Sequence, residues 1–84
     1  MIKGKTTSGF EYQIDERVEK DWKFLKLVRE VDKDSLAVFD LTERLLGEKQ
    51  TDALVNMYTD EDGFSDTEKI FADVTEIVNT SLKN

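Results

Sequence analysis

Residues 16–31, with the sequence ERVEKDWKFLKLVREV, determine how the chain folds, because the rest of the chain must cover their apolar side chains. At about 100° per residue, the apolar residues of this segment fall on two sides of one helix. The first side is formed by Val18, Trp22 and Leu25, and the second by Phe24, Leu27, Val28 and Val31. An apolar surface this broad exceeds one core-facing stripe, so we expect the helix to meet two partners.

The two sides of this helix have different expected roles. A single tryptophan is more often a core anchor than an exposed contact residue, and we assign that role to Trp22. Phe24, Leu27 and Val31 are the better candidates for partner binding, because one small core does not cover both sides. The alternative is that a hairpin and another helix cover both sides.

Upstream of the helix, residues 1–14 predict a β-hairpin. An apolar residue at every second position is typical of a half-buried strand, and the inward residues are Phe10, Tyr12 and Ile14. Residues 2–6 can pair with this strand, and Gly9 supplies the positive φ that a short hairpin loop often needs. Asp15 then caps the first helix.

Downstream, the apolar spacing predicts helices over 35–46, over 48–58 and from Ser65 onward. Gly47 separates the first two, as expected of a left-handed residue that follows a helix. The order Ser-Asp-Thr-Glu at residues 65–68 has the form of a capping box. The apolar residues expected to face inward are Val38, Phe39, Leu41, Leu45, Leu46, Ala53, Leu54, Met57, Tyr58, Ile70, Phe71, Val74, Ile77, Val78 and Leu82. The residues expected on the solvated face of the last helix are Lys69, Asp73, Glu76, Thr80 and Lys83.

Together these segments predict a mainly α fold in a single domain over residues 1–84. An N-terminal β-hairpin (residues 1–14) is followed by about four short helices in a small bundle (residues 15–84). A chain of 84 residues buries enough surface to fold alone, with little margin.

The composition argues against an enzyme. Cysteine and histidine are both absent, which removes disulfides, thiolate nucleophiles, sulfur-ligated metals and the commonest general base. With 19 Asp and Glu residues, some pair of carboxylates at a useful separation is unavoidable, but no pattern places two of them in an apolar cleft. We expect no catalytic residue, no cofactor and no small-molecule substrate.

Charge and hydropathy limit the classes of partner that this chain can bind. A net charge of −7 argues against nucleic acid, because phosphate is repelled by such a surface. The sequence contains no run of about 18 apolar residues, so we expect no membrane span, and the N-terminus lacks the pattern of a secretory signal.

Residues 60–63, Asp-Glu-Asp-Gly, invite a calcium interpretation. With Gly63 at loop position six, however, Tyr58 and Lys69 occupy positions that need acidic ligands, so we expect a solvated acidic turn and no metal.

The order of short motifs along the whole chain resembles the tail assembly chaperones of siphophages and of prophages in Gram-positive bacteria. The motifs are Gly9-Phe10-Glu11, Asp21-Trp22 with Leu25, Leu45-Leu46-Gly47, Asp60-Glu61-Asp62-Gly63, and the terminal Leu82-Lys83-Asn84. The resemblance implies a protein that binds the tape measure protein and keeps it soluble while the tail tube assembles. It also implies action in the bacterial host cytoplasm and absence from the mature virion.

Two further interpretations follow, one from the apolar helix surface and one from the net charge. The excess apolar helix surface would also allow a homo-oligomer, since the same surface can meet a second copy. The alternative function is an acidic decoy that occupies a basic, DNA-binding protein by imitating phosphate, which the net charge of −7 and the acids at 60–62 suggest.

Overall fold

The computed structural model describes residues 1–81, and in them the chain forms a hairpin, a short 3-10 helix and three α-helices. The elements are β1 (Ile2–Lys5), β2 (Glu11–Ile14), the 3-10 helix (Glu16–Lys20), α1 (Trp22–Val31), α2 (Ala37–Met57) and α3 (Thr67–Ser81). The fold is mainly α with an N-terminal hairpin, as predicted. The described residues contain three α-helices, however, and not about four.

The hairpin matches its prediction. β1 and β2 are antiparallel, with Ile2 opposite Ile14, and Gly9 has a φ of 100° in the connecting turn. Every second side chain from the residue before β2 to its end faces the core. These are Phe10, Tyr12 and Ile14, which are 7%, 4% and 1% exposed. A two-stranded sheet is marginal in water, so this buried face is what holds it.

The expected single helix over residues 16–31 is divided at Asp21. Asp15 caps the 3-10 helix by accepting a hydrogen bond from the Arg17 backbone N–H at 2.9 Å. The chain is then extended at Asp21, whose carboxylate accepts from the Phe24 N–H at 3.0 Å. Asp21 is therefore the N-cap of α1, and residues 16–20 do not continue the helical phase of α1.

This division reverses the predicted sides of α1. Phe24 is fully buried, and Leu27, Val28 and Val31 pack partly buried against the core. Trp22 is 81% exposed and Leu25 is 49% exposed. The prediction of Trp22 as a core anchor is wrong, because α1 turns its Phe24 side to the core.

α2 is a bent helix. Gly47 lies where a helix end was predicted, but its φ of 78° and ψ of 167° redirect the chain and helical structure resumes beyond it. The Thr51 hydroxyl reaches the Thr42 carbonyl at 3.5 Å across the bend. We call this bend the elbow of α2. It accounts for the missing fourth helix, since residues 37–57 form one interrupted element.

α3 begins one residue later than the capping box predicted. The Asp66 carboxylate accepts from the Lys69 N–H at 3.2 Å, so Asp66 is in the capping position and not Ser65. The Ser65 hydroxyl instead pairs with the Thr59 hydroxyl at 2.8 Å. Leu82 and Lys83, predicted to extend the two faces of this helix, lie outside the described residues.

The hairpin and the helices share one buried apolar cluster. Its members are Phe10, Tyr12, Ile14, Phe24, Val38, Leu41, Leu45, Leu46, Leu54, Ile70, Val74 and Ile77. Three residues predicted to face inward are exposed instead, namely Phe39, Ala53 and Met57. No helix within residues 1–81 combines the length and apolar character that crossing a membrane requires.

Candidate partner-binding surface

Large apolar side chains remain exposed in three places on the described part of the chain. Trp22 and Leu25 lie on α1, and Leu36 and Phe39 lie at the start of α2. Met57 is the last residue of α2, and Phe64 lies in the loop that leads to α3. Met1 is also exposed. Isolated exposed apolar residues are common, but grouped ones mark interaction sites. The geometry of the groups therefore decides which of them can hold a partner.

The Leu36–Phe39 group lies beside a small, mostly apolar cleft that Phe39 lines. Leu36 is 68% exposed and Phe39 is 53% exposed. The two are three residues apart, which places them on one side of the helix start. The Phe39 ring meets the Phe71 ring of α3 edge to face, with 5.5 Å between centroids. This contact fixes the direction of Phe39 without covering it.

The cleft lies in the elbow of α2 and is closed by α3. Its volume is about 110 Å³, and it is lined by Phe39, Thr42, Glu43, Thr51, Val55, Thr67, Ile70 and Phe71. Small-molecule sites usually measure about 300–1,000 Å³, so this cleft is too small for a cofactor or metabolite. It has room for one apolar side chain. We call Leu36, Phe39, Phe71 and this cleft the elbow surface.

The elbow surface suits recognition of a helix. An amphipathic helix binds a groove through apolar anchors spaced by three or four residues, with at least one anchor inserted into a pocket. The exposed Leu36 and Phe39 side chains supply flat apolar contact, and the cleft supplies the pocket. The sequence signal was present in the Leu36–Phe39 spacing, but Phe39 was placed with Val38 on the inward side.

The residues predicted to bind a partner do not form such a surface. Phe24 has no exposed area, and its side chain belongs to the core. Leu27 and Val31 are half-buried. Leu27 lines a shallow groove of about 360 Å³ whose other walls are charged: Lys23, Lys26, Glu30 and Asp40.

The charged residues near the start of α1 form ion pairs. Arg17 lies 2.6 Å from the Asp15 carboxylate and, by hydrogen bonding, lowers the pKa of Asp15 to about 2. Arg44 lies 2.7 Å from Asp21 and lowers the pKa of that carboxyl as well. Both acids stay ionised and paired at neutral pH, which fits structural pairing and not general-acid chemistry.

A buried carboxylate holds the hairpin turn against α3. Asp73, predicted to be solvated, is 5% exposed and accepts from the Ser8 hydroxyl at 2.7 Å and the Tyr58 hydroxyl at 2.9 Å. The Ser8 hydroxyl lowers the pKa of Tyr58, but burial and the charges of Asp73 and Glu76 outweigh it, so the pKa is raised. Glu76 accepts from the Thr7 N–H and hydroxyl, both at 2.8 Å.

The acidic loop is organised by its own backbone. The Asp60 carboxylate accepts from the N–H groups of Asp62 and Phe64 at 2.9 and 3.0 Å, and Gly63 has a φ of 87°. This is a side-chain-stabilised turn. Within residues 1–81, no group of three or more acidic side chains is arranged to hold a metal ion.

Comparisons of the chain with protein families, with curated proteins and with solved structures find no match.

Proposed function

We propose that this protein is a tail assembly chaperone that binds a tape measure protein through apolar helix surface and keeps it soluble during tail tube assembly. The proposal rests on the elbow surface, where Leu36 and Phe39 are exposed beside a pocket for one apolar side chain. A tape measure protein is a long, helix-rich chain whose apolar stripes aggregate when uncovered. Helix-in-groove binding covers such stripes without catalysis, cofactor or metal.

The charge of the protein supports the same role. A net charge of −7 keeps a chaperone–client complex dispersed once its apolar surfaces are covered. Many copies bound along one client also add avidity to single contacts that are weak. The site of action we propose is the cytoplasm of the bacterial host, with the chaperone released before the virion is complete.

Co-expression with the tape measure protein of the same phage or prophage tests the proposal. The wild-type chain should raise the soluble yield of the client and co-purify with it. The variant Leu36→Asp/Phe39→Asp should lose both effects, because it places two charges on the elbow surface. Ala53→Asp is the control, since it charges an exposed apolar position of α2 outside that surface and should leave client binding intact.

Circular dichroism of the free variants separates lost binding from lost folding. Leu36 and Phe39 are exposed, so both variants should keep the helical signal. An unchanged soluble yield with wild-type protein, together with no co-purification, would contradict the chaperone proposal. Co-purification with a basic DNA-binding protein, weakening steeply as salt is added, would point to the acidic decoy instead.

A further inference from the structure

The exposed side of α1 is positively charged in a protein that is negative as a whole. Between Trp22 and Val31 the chain has three cationic side chains and only one acid, Glu30. We define the basic face of α1 as Trp22, Lys23, Leu25, Lys26 and Arg29, all of which are exposed. Its centre is the most exposed large apolar side chain of the described residues, Trp22 at 81%. Tryptophan and arginine are the residue types most enriched at the energetic centres of protein interfaces.

A groove of opposite charge lies beside the loop that precedes α3. It measures about 500 Å³ and is lined by Met57, Tyr58, Thr59, Asp60, Phe64, Ser65, Asp66 and Lys69. Its charged lining residues are Asp60, Asp66 and Lys69, and the exposed acids Glu61, Asp62 and Glu68 lie next to them in the sequence. Two exposed apolar side chains stand in its walls, Phe64 at 73% and Met57 at 42%. We call this the acidic groove.

We propose that the basic face of α1 docks into the acidic groove of a second copy of this chain, with Trp22 seated against Met57 and Phe64. Size and charge both support this pairing. The acidic groove has room for an indole ring, which the 110 Å³ elbow cleft lacks. Lys23 and Lys26 then meet the acids around residues 60–66, and that complementarity also disfavours two basic faces meeting each other.

The contact joins two different surfaces, so it is heterologous. Each docked pair leaves one basic face and one acidic groove free, and association continues into a chain or closes into a ring. The acidic groove and the elbow surface have no lining residue in common. Copies can therefore associate while each elbow surface holds a client, and the two interactions can be tested separately.

The single tryptophan reports the contact directly. Trp22 is the only tryptophan in the chain, so burial of its ring on docking should shift the fluorescence of the purified protein to shorter wavelength as concentration rises from micromolar to near-millimolar. Sedimentation velocity over the same range should show growth in mass. High salt should reduce both effects, because the flanking charges are at the rim of the contact.

A charge exchange identifies the two surfaces. Lys23→Glu/Lys26→Glu should be monomeric, because an acidic α1 is repelled by the acidic groove. Glu61→Lys/Asp62→Lys should be monomeric for the converse reason. An equimolar mixture of the two variants should associate again, since each acidic α1 now meets a basic groove and each basic α1 meets an acidic one. Lys3→Glu/Lys5→Glu makes the same charge change on the hairpin and should associate like the wild type.

Three results would overturn the proposal. The first is a wild-type protein that stays monomeric, with unchanged fluorescence, up to near-millimolar concentration. The second is wild-type association that the two charge-exchange variants retain when tested alone, or that their mixture does not restore. The third is a fluorescence shift on adding phosphatidylglycerol vesicles but none with protein concentration, which would assign the basic face to an anionic lipid surface.

Discussion

Asp73 shows how one buried charge decides the position of the hairpin. Its carboxylate accepts from two hydroxyls, one in the hairpin turn and one at the end of α2, so it joins three elements at a single oxygen. A buried carboxylate without partners would be costly, and here the Ser8 and Tyr58 hydroxyls provide them. Helical periodicity placed Asp73 on the solvated face, because periodicity cannot register a hairpin that folds over that face.

The replacement Asp73→Ala tests this role. It leaves the Ser8 and Tyr58 hydroxyls without their acceptor, and we expect the free energy of unfolding to fall by about 1.5–3 kcal/mol. Urea denaturation followed by circular dichroism measures the change. Thr75→Ala, at an exposed position on the same helix, should change stability by less than about 0.5 kcal/mol. Equal stability of the two variants would remove Asp73 as the anchor of the hairpin.

At the scale of elements, the predictions succeeded where the pattern of side chains within one segment was enough to identify the element. The strand was identified by the alternation of Phe10, Tyr12 and Ile14. Successive side chains of a strand point to opposite faces, so a strand that packs one face on a core has an apolar residue at every second position. The prediction of one helix over residues 16–31 was wrong because Asp21 interrupts it. An aspartate before an apolar run is itself a helix-start signal, and using it would have set α1 at Trp22 with Phe24 inward.

Gly47 was predicted to separate two helices, and its backbone is non-helical at the elbow of α2. Gly47 marked a change of direction, and nothing in the local sequence distinguishes a helix end from a bend after which helix resumes. That outcome depends on Leu41, Leu45 and Leu54 packing into one core from both sides of the bend. Phe39 lies on the outer side, where its ring meets Phe71 of α3 and stays 53% exposed.

Replacing Gly47 by alanine should damage stability and binding together. Its φ of 78° and ψ of 167° lie in a region that is essentially restricted to glycine, and forcing another residue there costs about 1–3 kcal/mol. We expect lower resistance to urea and a smaller soluble yield of the client, because relief of the strain straightens α2 and opens the elbow cleft. Glu48→Ala is the neighbouring control. Gly47→Ala with wild-type stability and wild-type client yield would show that the bend is not needed.

For the molecule as a whole, charge and apolar surface are unevenly distributed. The chain has 19 acidic and 12 basic residues, yet α1 presents a cationic exposed side and the loop before α3 presents an anionic one. The sequence predicted surplus apolar helix surface, and exposed apolar residues are present on α1 and α2. It did not predict which residues form that surface, because this depends on the turn at Asp21 and the bend at Gly47.

Site-specific crosslinking most directly tests the claim that the elbow surface holds the client. The photo-reactive residue p-benzoylphenylalanine, placed at position 39 in the chain co-expressed with the tape measure protein, should crosslink to that protein on illumination. The same residue at position 22 should not, because Trp22 lies outside the elbow surface. A tape measure protein that co-purifies with both variants but crosslinks only from position 22, or from neither position, would contradict the account.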